Sequence, residues 1–152
     1  MALIWCVSFL LALYLAIVLR NYLTQPPSEL GFVNQSLSPC PESPNCVCSQ
    51  DESLAHFINP IPYTGSEEQA RSQLSELLSR QSGCRIVSQE GNYLHAEFRS
   101  LCFRFVDDVE FLIDSGQNVL HVRSASRVGH YDLGANRQRI EAIRQEYLNG
   151  NK

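Results

Sequence analysis

The stretch FRFVDDVEFLIDSGQNVLHVRSAS, residues 103–126, decides how this chain is read. In its first half Phe103, Phe105, Val109, Phe111 and Ile113 share one parity, while Arg104, Asp108 and Glu110 take the other. Alternation with period two marks a strand that lays one face on a core. Ser115-Gly116-Gln117-Asn118 supplies a turn, and Asn118–Ser124 resumes the alternation. Pairing Asp114 with Val119 sets Ile113 against Leu120, Phe111 against Val122, and Glu110 against Arg123. Apolar then meets apolar and acid meets base, so this antiparallel register is the expected one.

Working outward, Arg85–Glu90 and Asn92–Ser100 read as two further strands, with Phe103–Asp114 and Asn118–Ser124 completing four. Before them, Ser66-Glu67-Glu68-Gln69 matches a capping box, and Ala70, Leu74, Leu77 and Leu78 recur at helical spacing. A helix over about 66–82 follows, with Gly83 where a C-terminal cap is expected. Ile140, Ile143 and Tyr147 place a last helix over about 135–148. The expected fold is α+β: an antiparallel four-stranded sheet flanked by two helices, preceded by an N-terminal transmembrane helix. All seven prolines fall in residues 24–63, which read as tether and then ordered loop. The expected organisation is an anchor over 1–23, a linker over 24–36 and one α+β domain over 37–149.

The chain carries 16 acidic and 12 Lys+Arg side chains, net −4, and every one lies at or after Arg20. Residues 2–19, ALIWCVSFLLALYLAIVL, hold no charge, and a helix of that length spans about 27 Å, close to the hydrocarbon thickness of a bilayer. No basic n-region precedes the run and no small-x-small site ends it, so a retained single-span anchor is expected rather than a cleaved signal. Arg20 alone argues by the positive-inside tendency for a cytoplasmic domain. Five cysteines after the anchor argue for an oxidising compartment, and the exported side is preferred on that ground. About 130 residues remain for one domain, too few for a multidomain enzyme. With 44% hydrophobic residues and a small net charge, disorder is excluded.

Three constellations carry candidate chemistry. Cys40, Cys46 and Cys48 cluster in a Pro-stiffened loop, with His56 beyond; a disulfide from Cys40 to Cys46 or Cys48, packing thiols, or a zinc set are the alternatives. Cys84 and Cys102 lie on strands that could neighbour each other and are further disulfide candidates. Asp107, Asp108 and Glu110 form the second group: paired carboxylates suit acid/base work if burial separates their pKa values, and otherwise pair with arginines. Asp107 is an acid on the apolar parity and demands a partner.

The third is the segment from Arg123 to Arg139. Residues 123–152 carry six cations against three acids, whereas residues 20–122 carry six against thirteen. Eleven of the twelve cations are arginine, which favours forked contact with carboxylate or phosphate. Arg123, Arg127, Asn136, Arg137 and Arg139, delivered to a helix start, make a candidate anion site; the competing reading is an internal ion network with the three acids. No G-x-S-x-G elbow, P-loop or H-E-x-x-H is present, so no reaction, metal or cofactor is indicated. The acidic domain, with little aromatic interleaving in its basic end, gives no support for nucleic-acid binding.

Together the segments Cys40-Pro-x-Ser-Pro-Asn-Cys46-Val with Ser49-Gln50, Phe105-Val106-Asp107-Asp108-Val109-Glu110-Phe111, and Arg123-Ser124-Ala125-Ser126-Arg127-Val128-Gly129 running into Asp132-Leu133-Gly134-x-Asn136-Arg137-x-Arg139-Ile140 resemble the bacterial and plastid family called domain of unknown function 1499. The resemblance covers about residues 37–148 and departs at Cys48, where the family pattern has Ser. It implies one domain, brings no assigned reaction, and suggests that the acidic strand and the arginine segment form one constellation. The leading expectation is a membrane-anchored domain that binds a small anionic or lipid-derived ligand or an envelope partner. The alternatives are an enzyme, hydrolase or transferase, using Asp108 or Glu110 beside Arg127, and a thiol or metal site at Cys40, Cys46 and Cys48.

Overall fold

The 103–126 stretch forms its hairpin in the register that its side chains dictate. In the computed structural model, which describes residues 1–150, the elements in chain order are α1 (Ala2–Tyr22), β1 (Phe32–Val33), β2 (Ser36–Leu37), β3 (Cys46–Cys48), β4 (Ile61–Pro62), α2 (Glu67–Arg80), β5 (Cys84–Glu90), β6 (Tyr93–Arg99), β7 (Val106–Asp114), β8 (Val119–Ser126) and α3 (Ala135–Asn149). Asp114 pairs with Val119, Ile113 with Leu120, Phe111 with Val122 and Glu110 with Arg123. The class is α+β with antiparallel sheets, as expected. The main sheet has six strands rather than four, ordered β3-β8-β7-β6-β5 with β4 also on β8. The two additional strands, three and two residues long, come from the proline-containing region. Runs that short show no period, and pairing with β8 is what makes them strands.

One sheet face is apolar. Leu94, Ala96 and Phe98 of β6, Val109, Phe111 and Ile113 of β7, and Leu120 and Val122 of β8 pack with Ala70, Leu74, Leu77 and Leu78 of α2 and Ile140, Ile143 and Tyr147 of α3. Burying one such side chain fully stabilises the fold by about 1.5–3 kcal/mol, so this face is the dominant source of stability. The capping box is formed: Ser66 Oγ accepts from the Gln69 amide, and Gln69 Oε1 accepts from the Ser66 amide. Gln81 occupies the cap position at the other end. Gly83 lies two residues further on, at φ +75°, where a Cβ would meet the Arg99 carbonyl oxygen at 2.6 Å.

The opposite face presents His95, Glu97, Asp108, Glu110, His121 and Arg123, all buried. Residues 24–36, expected as a linker, supply part of the cover. The Gly31 amide donates to Glu110, the Thr24 carbonyl accepts from Arg127, and the Phe32 ring lies 5.5 Å from that of Tyr93. Leu37 completes a small cluster with Cys48 and Leu112.

Phe103 and Phe105 correct the sequence reading. They carry the core parity but precede the strand, in a turn held by reciprocal bonds between Ser100 and Phe105 and by Arg104 at φ +58°. Alternation stops wherever the backbone leaves the extended region, so both rings stay partly exposed. This turn rests against α1. Tyr14 Oη donates to the Cys102 carbonyl, Asn21 Nδ2 to the Phe103 carbonyl, and the Tyr14 ring meets Phe103 edge-on. By length and composition Ile4–Tyr22 is apolar enough to cross a membrane, a property signal sequences and soluble core helices share.

Two left-handed glycines separate backbone strain from crowding. Gly91→Ala, at φ +56° with open space around it, should cost about 1 kcal/mol. Gly83→Ala meets the Arg99 carbonyl as well and should cost roughly 3 kcal/mol. Urea unfolding of the two full-length variants in detergent checks the order.

Candidate functional site

β6, β7 and β8 place their charges in line because cross-strand partners share a face. Asp108 stands beside Glu97 on β6, and Glu110 lies between His95 and Arg123. Arg127, just beyond β8, reaches over this row. Its Nε and Nη2 donate to the two Asp108 oxygens at 2.7 and 2.6 Å, and Nη2 also meets Glu97 at 2.6 Å. Its side chain is 2% exposed. Glu97 also receives Arg85 and Arg99. His95 Nε2 donates to Asp108, and Glu110 accepts from Arg123, the Tyr93 hydroxyl and the Gly31 amide.

Burial alone would raise the Glu97 carboxyl, but hydrogen bonds from Arg127, Arg85 and Arg99 outweigh it and hold the group at about 2. Burial likewise acts upward on Asp108, where Arg127 and His95 prevail and keep it below its ordinary value. On Arg127 burial acts downward, and its two carboxylate partners reverse the direction. A carboxylate held so firmly ionised is a poor general acid and, enclosed by donors, a poor base. Asp108 with Glu97 and Arg127, and Glu110 with Arg123, are thus paired inside the fold.

The remaining arginine-segment residues have other assignments. Asp132 accepts the amides of Gly134 and Asn136 at the start of α3, so the anion expected at that helix start is the chain's own carboxylate. Asn136 is fully buried; its amide reaches the Asn45 carbonyl, Ser126 and Asp132, and its oxygen accepts from Ser124 and Arg139. Arg137 clamps the carbonyls of Ala55 and Phe57. Arg139 pairs with Asp107, which is the partner that an acid on the apolar face requires.

Cys40 and Cys46 are joined in a disulfide that closes the proline loop, and Cys48 is buried beside it, its thiol pushed up by burial. His56 Nδ1 lies 3.0 Å from the Cys46 carbonyl. With two thiols joined, the tetrahedral set does not assemble, and no cluster suited to a metal ion occurs among the described residues. Cys84 and Cys102 are both free. Cys84 lies opposite Phe98 on β5, its thiol raised to about 11 by burial, while Cys102 sits in the turn rather than on a strand.

A cavity of about 490 Å³ opens where the apolar sheet face runs out beneath the first turns of α3. Phe98, Phe105, Val128 and Ile143 give it apolar walls; its charged lining residues are Arg99, Asp107, Asp132 and Arg139, of which Arg139 is paired with Asp107. The volume falls in the range of small-molecule sites. Of the residues picked from sequence, only Asp107 and Arg139 line it. Two important residues escaped the sequence reading. Glu97, which collects three arginines, shares the parity of His95 in a strand read by its apolar members, and that parity was the available signal. Asp132 stands two residues before a glycine at a helix start, a spacing suited to receiving backbone amides.

These features define an α+β fold with a buried ion network on one sheet face and a cavity at the end of the other. Residues 36–147 match the family model described as Protein of unknown function (DUF1499), and the chain belongs to that family. A search of curated proteins and a search of solved structures found no match.

The network gives stability a defined acid limb. The folded pKa of Glu97 lies below its ordinary 4.5, so its contribution, about 3 kcal/mol, is complete above pH 4.5 and is lost as pH falls from 4.5 towards 2. Urea midpoints followed across that window should drop in the native protein and drop less in Glu97→Gln. Arg127→Ala, which removes from two buried carboxylates the guanidinium they share and leaves them only Arg85, Arg99 and His95, should lose roughly 3 kcal/mol at neutral pH.

Proposed function

We propose that this chain is a single-pass membrane-anchored domain that binds a lipid-derived amphiphile in the cavity beneath α3. The carrying observation is the cavity itself: apolar walls from Phe98, Phe105 and Ile143 next to a small set of polar groups. Its cations and acids balance, and the arginines offered for a free anion are already paired with groups of the chain itself. A ligand with an apolar body and a polar head therefore fits better than a small inorganic anion.

The anchor reading is supported by the apolar run Ile4–Tyr22 and by its nearly complete exposure. The Cys40–Cys46 disulfide supports the oxidising, exported side for the domain. No specific feature favours the enzymatic alternative, because Asp108 and Glu110 lie on the face opposite the cavity and are fully paired.

Lipid mass spectrometry of the purified full-length protein tests the proposal. One lipid class should be retained beyond its share of the membrane, and Ala142→Trp, an exposed wall position, should lower it about tenfold. Arg137→Ala, outside the cavity, should leave it unchanged. Identical lipid profiles for the native protein and Ala142→Trp would overturn the reading.

A further inference from the structure

We propose that the turn Leu101–Phe105 is seated in the domain-side leaflet of the same bilayer, so that the cavity opens beside lipid rather than into bulk water. This rests on the membrane-anchor reading above and extends it from the helix to the folded domain.

The first ground is where the turn sits along α1. Its contacts are to Tyr14 and Asn21, both inside the apolar span Ile4–Tyr22 rather than beyond its end. Tyr14, Ile17, Val18 and Asn21 follow one another at helical spacing. Ile17 and Val18 are half-buried and Asn21 is fully buried, so one stripe of the helix faces the domain. Tyr14 and Asn21 are seven positions apart, about 10 Å of helix axis. A turn held beside those residues lies within the domain-side half of the acyl region whenever the span is in a membrane.

The second ground is hydrogen bonding. Irregular backbone is tolerated in an apolar medium only when its polar groups have partners. Two carbonyls of this turn, Cys102 and Phe103, accept from polar side chains of the apolar helix, Tyr14 and Asn21. Ser100 and Phe105 close the base of the turn on each other.

The third ground is the exposed surface. Leu101 is 81% and Phe103 43% exposed, and they point outward next to an apolar helix. Arg104 is the one charge in the turn, and its long stem allows the guanidinium to reach the headgroups. Phe105 of the turn and Ser100 at its base both line the cavity, which joins the lipid-facing surface to the proposed binding site.

Depth-dependent tryptophan quenching in phosphatidylcholine vesicles containing brominated acyl chains tests this with the full chain. Trp5 is the sole native tryptophan and reports on the anchor. Trp5→Phe combined with Leu101→Trp moves the reporter to the turn, at an exposed position that does not carry the fold. Trp5→Phe combined with Leu54→Trp puts it on an exposed loop at the β3 edge as the aqueous reference. The expected result is at least twofold quenching of the residue-101 reporter by bromolipid, with protection from iodide, and the reverse at residue 54. Bromolipid quenching at Trp5 with iodide quenching at residue 101 would overturn the proposal and leave the anchor intact. Absence of bromolipid quenching at Trp5 would overturn both, and equal bromolipid quenching at residues 101 and 54 would overturn the specific seating of the turn.

Discussion

The burial of Arg127 between Asp108 and Glu97 is the constraint on which the rest of this structure depends. A guanidinium removed from water needs carboxylates at close range, because its desolvation is otherwise not offset. One carboxylate comes from β6 and the other from β7, while Arg127 follows β8. Three strands must therefore be in register before the charge is satisfied. A slip of one residue would send Glu97 and Asp108 to the apolar face and draw the core side chains into the ion network. The same arginine also donates to the Thr24 carbonyl, which ties the segment after α1 to the sheet.

That arrangement gives the two faces of one sheet different tasks. The apolar face binds α2 and α3 through burial, and the charged face is closed by residues 24–37 through hydrogen bonds and a few apolar contacts. At the end of the apolar face Asp107 interrupts the hydrophobic pattern. Its pairing with Arg139 keeps α3 in position while leaving space beneath its first turns. The cavity exists because packing stops at this ion pair, and its neighbour is the turn that touches α1. Helix α1, turn and cavity thus lie next to one another.

The hairpin register was legible because Glu110 opposite Arg123 and Phe111 opposite Val122 satisfy charge and burial at once. The helices were legible for an equally local reason, a capping box at Ser66 and apolar spacing in α2 and α3. β3 and β4 were not, since strands of two or three residues acquire their identity only from β8. Phe103 and Phe105 misled the reading because parity predicts a face only along extended backbone, and Arg104 leaves that region. The engagement of the arginines was half legible: a charge imbalance between chain segments announced pairing, but gave no means of assigning Arg127 to Glu97 or Asp132 to the amides at the start of α3.

By itself the sequence determined the apolar N-terminal helix, the two later helices and the central hairpin, along with membership in the family its motifs resemble. Each of these follows from interactions between residues close in the chain or from a periodicity that repeats within one element. Tertiary structure alone decided which thiols join, which acid each arginine meets and where a cavity is left. Those outcomes depend on distances between segments far apart in sequence, and on a buried charge accepting only the partners that folding brings within hydrogen-bond reach.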